Sequence, residues 1–155
     1  RDLHLLLEYN SIAAYTYQHT PAAMGYTHYE QPLAHPMGSN VDELVVQLDY
    51  RFGRAVFHAK ANFAEYRLDG PDSLGYNFGG DVRKPFDPIT GPEGPLVRSL
   101  TYVDLNASWL MNQNTNMRLT LGYWIRDLGN APEFLNTGYL YVAWQTGLFN
   151  RYYDI

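Results

Sequence analysis

The sequence has no cysteine, which excludes a disulfide framework and any thiolate metal site. Charge is sparse: Asp, Glu, Lys and Arg make up 17% of the residues, the formal net charge is -5, and no basic cluster occurs. Nucleic acid is therefore not an expected partner. Uninterrupted apolar runs are short, well below the roughly 18 residues that mark a membrane-crossing helix. Catalytic signatures are missing too, with no Gly-x-Ser-x-Gly elbow and no His-Glu-x-x-His pair. Nor does anything set two carboxylates at the separation that glycoside hydrolysis requires. No enzymatic activity and no cofactor are expected. Arg1, Asp2, Leu3, His4 and Leu5 lack the layout of a signal peptide and read as the middle of a strand. The chain is accordingly read as the C-terminal piece of something longer.

What is abundant is the aromatic ring. Phe, Trp and Tyr supply 15% of the chain, with Tyr alone present 14 times. A ring with a polar tip suits strands and the membrane–water boundary. The second signal is alternation. Over residues 42–52, Leu44, Val46, Leu48, Tyr50 and Phe52 share one face, and Glu43, Val45, Gln47, Asp49 and Arg51 the other. After Gly53 and Arg54 the pattern resumes with Ala55, Phe57, Ala59, Ala61 and Phe63 against Val56, His58, Lys60 and Asn62. Keeping both apolar faces on one side pairs Phe52 with Ala55, Tyr50 with Phe57 and Leu48 with Ala59. It leaves a two-residue loop with Gly first, the preference of a type II′ turn. The same register sets Asp49 opposite His58 and Gln47 opposite Lys60.

A second hairpin is predicted from Val103, Leu105, Ala107, Trp109 and Met111, through a polar turn at residues 112–116, to Met117, Leu119, Leu121, Tyr123 and Ile125. Its parity allows more than one register. Flanking runs extend from Leu3 to about Gln18, with Leu6 and Ile12 interrupting the polar face, and over Leu140, Val142, Trp144 and Leu148 against Tyr139, Tyr141, Gln145 and Phe149. Six runs result, each long enough for a tilted membrane strand of about 9–11 residues. Long connections near residues 19–41, 68–99 and 127–137 all fall at one end, and the tight turns fall at the other.

These features predict an all-β chain, a single segment of an antiparallel transmembrane β-barrel in a bacterial outer membrane, with long loops outside. Six strands are too few to close a barrel, since the smallest have about eight. Further strands are expected upstream of Arg1 or from other chains. A soluble sandwich or lipocalin-like barrel is the competing fold. It would place its large apolar groups inward, not along an entire outer face.

The first long loop is richest in functional types, and His19, Tyr26, His28, Tyr29, Glu30 and His35 form the candidate ligand-binding set. Imidazole and carboxylate suit a metal, but their spacing fits no compact ligand motif, so a loop held by hydrogen bonds is expected instead. Asp49, His58, Lys60, Asp104, Asn106 and Arg118 are expected to line the lumen. Their mixed charge fits a hydrogen-bonded plug as well as a polar path. Tyr, Trp, His, Asp and Asn at the rim have chemistry suited to sugars, and equally form an interfacial girdle.

The run YTYQHTPAAMGYTHYEQPLAHPMGSN (residues 15–40), above all QPLAHPMGSN, resembles the late strands of Wzi-type capsule-assembly outer-membrane proteins. The likeness is nearest to versions from Bacteroidetes-type bacteria, including barrels linked to gliding motility. The closing run GLFNRYYDI (residues 147–155) is similar to the C-termini of such barrels, although Ile155 stands where Phe or Trp is usual. The resemblance implies a monomeric barrel of about eighteen strands, this chain supplying the last six, that holds or organises surface polysaccharide. It carries over only the loop, with no individual sugar-contacting residue. Expected partners are outer-membrane lipid, surface polysaccharide, and other outer-membrane, secretion or motility proteins. Two rival functions are an accessory barrel in a secretion or gliding machine and a channel for small polar solutes.

Overall fold

The computed structural model describes residues 2–21, 24–25, 27–29, 31–33, 35–70, 74–130 and 136–147. It is all-β. Strands β1 (Asp2–Ile12), β4 (Val41–Phe52), β5 (Ala55–Leu68), β6 (Leu96–Asn112), β7 (Met117–Gly129) and β8 (Thr137–Gln145) form one antiparallel sheet in that order. A small hairpin of β2 (Thr27–His28) and β3 (Gln31–Pro32) sits within the first long connection. Among the described residues β1 and β8 are the two edges, so the sheet is open and not closed into a barrel.

The β4–β5 hairpin has the expected register: Phe52 faces Ala55, Asp49 faces His58 and Gln47 faces Lys60. Gly53 adopts φ +60, the left-handed first position that a type II′ turn demands. The β6–β7 register, open on sequence grounds, sets Leu105 opposite Tyr123 and Asp104 opposite Trp124, with a bulge between Leu110 and Asn112. That bulge absorbs the extra turn residue and keeps the faces in phase.

Four boundaries differ from expectation. The first strand stops at Ile12 and does not run to Gln18; the chain turns, with Tyr15 at φ 65. The loops compete for this segment, since Tyr15 donates its N–H to Gly79 O at 3.2 Å and its hydroxyl to Asn77 O at 2.9 Å. The second long connection spans residues 69–95, because β5 and β6 pair up to Leu68 and Leu96. The third is residues 130–136, β7 continuing to Gly129. The last strand ends at Gln145, while Leu148, Phe149 and the rest of the closing run lie outside the described residues.

Exposed apolar side chains are concentrated on one face of the sheet. Leu5 (58% exposed), Leu105 (48%) and Leu121 (53%) lie on one continuous sheet face with Leu48, Phe57, Tyr123 and Leu140. Apolar side chains at full burial each stabilise by about 1.5–3 kcal/mol, so water on this face would forgo that repeatedly. The buried set is instead rich in polar groups: Gln18, Ser39, Glu43, Asp69, Asn77, Ser108 and Thr120. Most of them lie where the loops meet the sheet.

Candidate functional site

Two long connections interlock over the loop end of the sheet. Asp69, just past β5, is buried and accepts from Phe78 N at 2.8 Å, Gly80 N at 3.2 Å and Asp81 N at 3.3 Å, with Lys84 Nζ at 3.2 Å. A buried carboxylate needs such donors to offset lost hydration. Gly80 is required here, because a Cβ would overlap Arg67 O. Asn77 exchanges amide hydrogen bonds with Gln18 at 3.1 and 3.3 Å, joining the first connection to the second. Ser39 Oγ donates to Gly79 O, and Asn40 Nδ2 to Phe78 O at 3.0 Å. Burial, and then the nearby Asp69 carboxylate, push the Tyr15 phenol above its ordinary pKa, so it stays a donor. The Arg83 guanidinium holds the Asp81 carboxyl below the usual range, bonding both oxygens at 2.9 and 2.8 Å.

His35 ties the first connection to the sheet. Its Nδ1 accepts from Met37 N at 3.3 Å, which assigns the hydrogen to Nε2, and Nε2 donates to Glu43 Oε2 at 2.8 Å. Glu43, 6% exposed, also accepts from Asn10 at 3.0 Å and Asn62 at 2.6 Å. Of the other candidate loop residues, His28 and Tyr29 stand together at the β2–β3 turn, rings 4.3 Å apart, with Tyr29 87% exposed. His19 is exposed, and its backbone oxygen accepts from Phe86 N at 3.3 Å. Tyr26 and Glu30 lie outside the described residues. Among the described residues no three His, Asp or Glu side chains converge as metal ligands.

The candidate lumen residues share the polar sheet face. Asp49 accepts from His58 Nδ1 at 2.6 Å and Gln47 Nε2 at 2.8 Å, with His4 at 3.8 Å. Lys60 is opposite both Gln47 and Asp104, and Asn106 is opposite His58. Arg118 belongs to the tight-turn end, where it donates to Asn116 at 3.0 Å. On this same face, outside the candidate lumen set, stand Tyr102, Trp124, Tyr139 and Tyr141, whose rings succeed one another at 4.9–6.1 Å.

The sequence reading missed a cleft of about 910 Å³ beneath the second connection, lined by Asp69, Tyr76, Glu93, Arg98 and Asn130 among others. Among the described residues Arg98 Nε is buried without a hydrogen-bond partner. A second depression of about 390 Å³ lies on the apolar face, floored by Ala59 and Ala107; it has little chemistry beyond apolar packing. Asp69 is already engaged, so the cleft offers the Tyr76 ring, the Glu93 carboxylate, the Asn130 amide and the Arg98 guanidinium among Leu68, Leu74, Pro95 and Leu96, groups able to stack on and hydrogen-bond a polar ligand. No family model, curated protein or solved structure matches the chain.

Proposed function

We propose that this chain forms part of a bacterial outer-membrane β-barrel that binds or organises surface polysaccharide and catalyses no reaction. The observation that carries the reading is the exposed apolar face backed by a polar, hydrogen-bonded one. Its outermost rows, through Phe52 and Leu44, are separated by four two-residue steps. That is about 27 Å along the strands, or about 21 Å at a 40° tilt, against a lipid-facing band of about 25 Å. Trp109 and Trp144 lie in the row at the tight-turn boundary and Tyr9 in the row at the other, where amphipathic rings favour the interface. Remaining strands come from sequence beyond these six or from other chains. The cleft at the loop end, with the likeness of residues 15–40 to capsule-assembly barrels, supports the glycan assignment.

Fractionation of the native host tests the location: the protein should stay with the outer membrane until detergent is added. Recovery in the periplasmic osmotic-shock fraction overturns the reading. Combined Tyr76→Ala and Glu93→Ala should release polysaccharide into the medium with the barrel still inserted. Unchanged retention together with loss of a protein companion would favour the accessory-barrel role, and conductance in planar bilayers the channel.

A further inference from the structure

Of the four inner-face rings, Trp124, Tyr139 and Tyr141 lie below the outer boundary of the apolar band, and Tyr102 stands close to it. Tyr102 pairs across the sheet with Arg126, Trp124 with Tyr139, and Tyr141 with Gly122. Through β6 and β5 these rows continue to Val45, Gln47 and Asp49 of β4, alongside the middle and outer part of the apolar band. Gly122 shapes the group. A Cβ there would overlap the Tyr141 ring, so the ring lies across β7 and its hydroxyl reaches Asp104 on β6 at 3.2 Å. Trp124 and Tyr139 tilt by 32° with centroids 4.9 Å apart, and Tyr102 meets Trp124 edge-on at 5.6 Å. Tyr139 is 50% exposed. Lys60 and Asp104 face each other beside these rings, and Arg126 is exposed.

Tyr102, Trp124 and Tyr141 are half-buried and in ring–ring contact, while Tyr139 keeps an open face that forgoes burial unless something covers it. Flat rings flanked by a carboxylate, an ammonium and a guanidinium match a pyranose, whose C–H face stacks while its hydroxyls hydrogen-bond at the edge. We infer that Tyr102, Trp124, Tyr139 and Tyr141 form a stacking platform for sugar rings inside the barrel wall, so that the glycan enters the lumen. This rests on the polysaccharide reading above and adds a second, deeper subsite to the loop-end cleft.

The test is titration calorimetry of the full-length protein in detergent with short fragments of the host's own surface polysaccharide. Trp124→Ala and Tyr139→Ala should each weaken binding about tenfold, Trp124→Tyr should restore part of it, and Trp109→Ala on the opposite face should bind as the parent does. Heat-modifiable gel mobility reports folding of each variant; if Trp124→Ala fails to fold, the half-exposed Tyr139→Ala decides. Wall variants that bind normally while Glu93→Ala weakens binding would overturn the platform and leave the glycan function standing. Absence of binding by the parent protein overturns both.

Discussion

His35 and Glu43 are eight residues apart in sequence and meet at 2.8 Å, one from a loop and the other from the polar face of β4. A neutral imidazole thereby becomes a clamp that fixes the first long connection against the sheet. Glu43→Leu should unfasten it, leaving three donors without their acceptor at about 1–3 kcal/mol of local stability. Limited proteolysis should then cut within residues 13–40 faster than in the parent, with the strands still protected.

Leu105 and Asn106 are sequence neighbours on opposite faces. Leu105→Arg puts a cation near the middle of the apolar band and should destabilise insertion by about 2–4 kcal/mol. Asn106→Ala should change it little. Folding into lipid vesicles, followed by gel mobility, separates them, and equal tolerance of both substitutions would contradict a lipid-facing surface.

Gly53 carries a positive φ with nothing within 4 Å of where a Cβ would sit. The penalty of Gly53→Val is therefore conformational alone, about 1–2 kcal/mol. A lower urea midpoint, partly recovered by Gly53→Asn, is the expected result.

Acid should loosen the loop assembly. The Asp81 carboxyl is held low by Arg83, so its contribution is present above the unfolded carboxylate value and disappears as pH falls through the folded one. The window lies below about pH 4. Hydrogen exchange of residues 76–89 should rise there, and the rise should be shallower in Asp81→Asn.

Much of the architecture was legible because alternation and turn chemistry agree. In the β4–β5 hairpin, a two-residue loop beginning with Gly53 leaves parity a single solution. The β6–β7 turn is longer, and several registers keep Leu105 and Leu121 on the same side. Only the bulge near Met111 and the Ser108–Thr120 hydroxyl pair at 2.7 Å select one. Tyr102 and Trp124, which meet across β6 and β7, could not be matched for that reason. Asp69 and Asn77 stayed hidden because their partners are mainly backbone groups and distant loop residues, which follow no spacing. Adjacent Gly79 and Gly80 were the available hint, since paired glycines mark close backbone approach. His35 was visible as a candidate, but Glu43 was read only as one more polar residue of its strand.

Strands β1 and β8 each have a neighbour on one side only among the described residues. In hydrocarbon every amide left without an acceptor costs several kcal/mol, and each of these strands offers a whole row of them. For the outer-membrane barrel proposed above, six strands alone would leave both rows unpaired in lipid. On the barrel proposal, insertion and ring closure then form one concerted event, which makes assembly all-or-none.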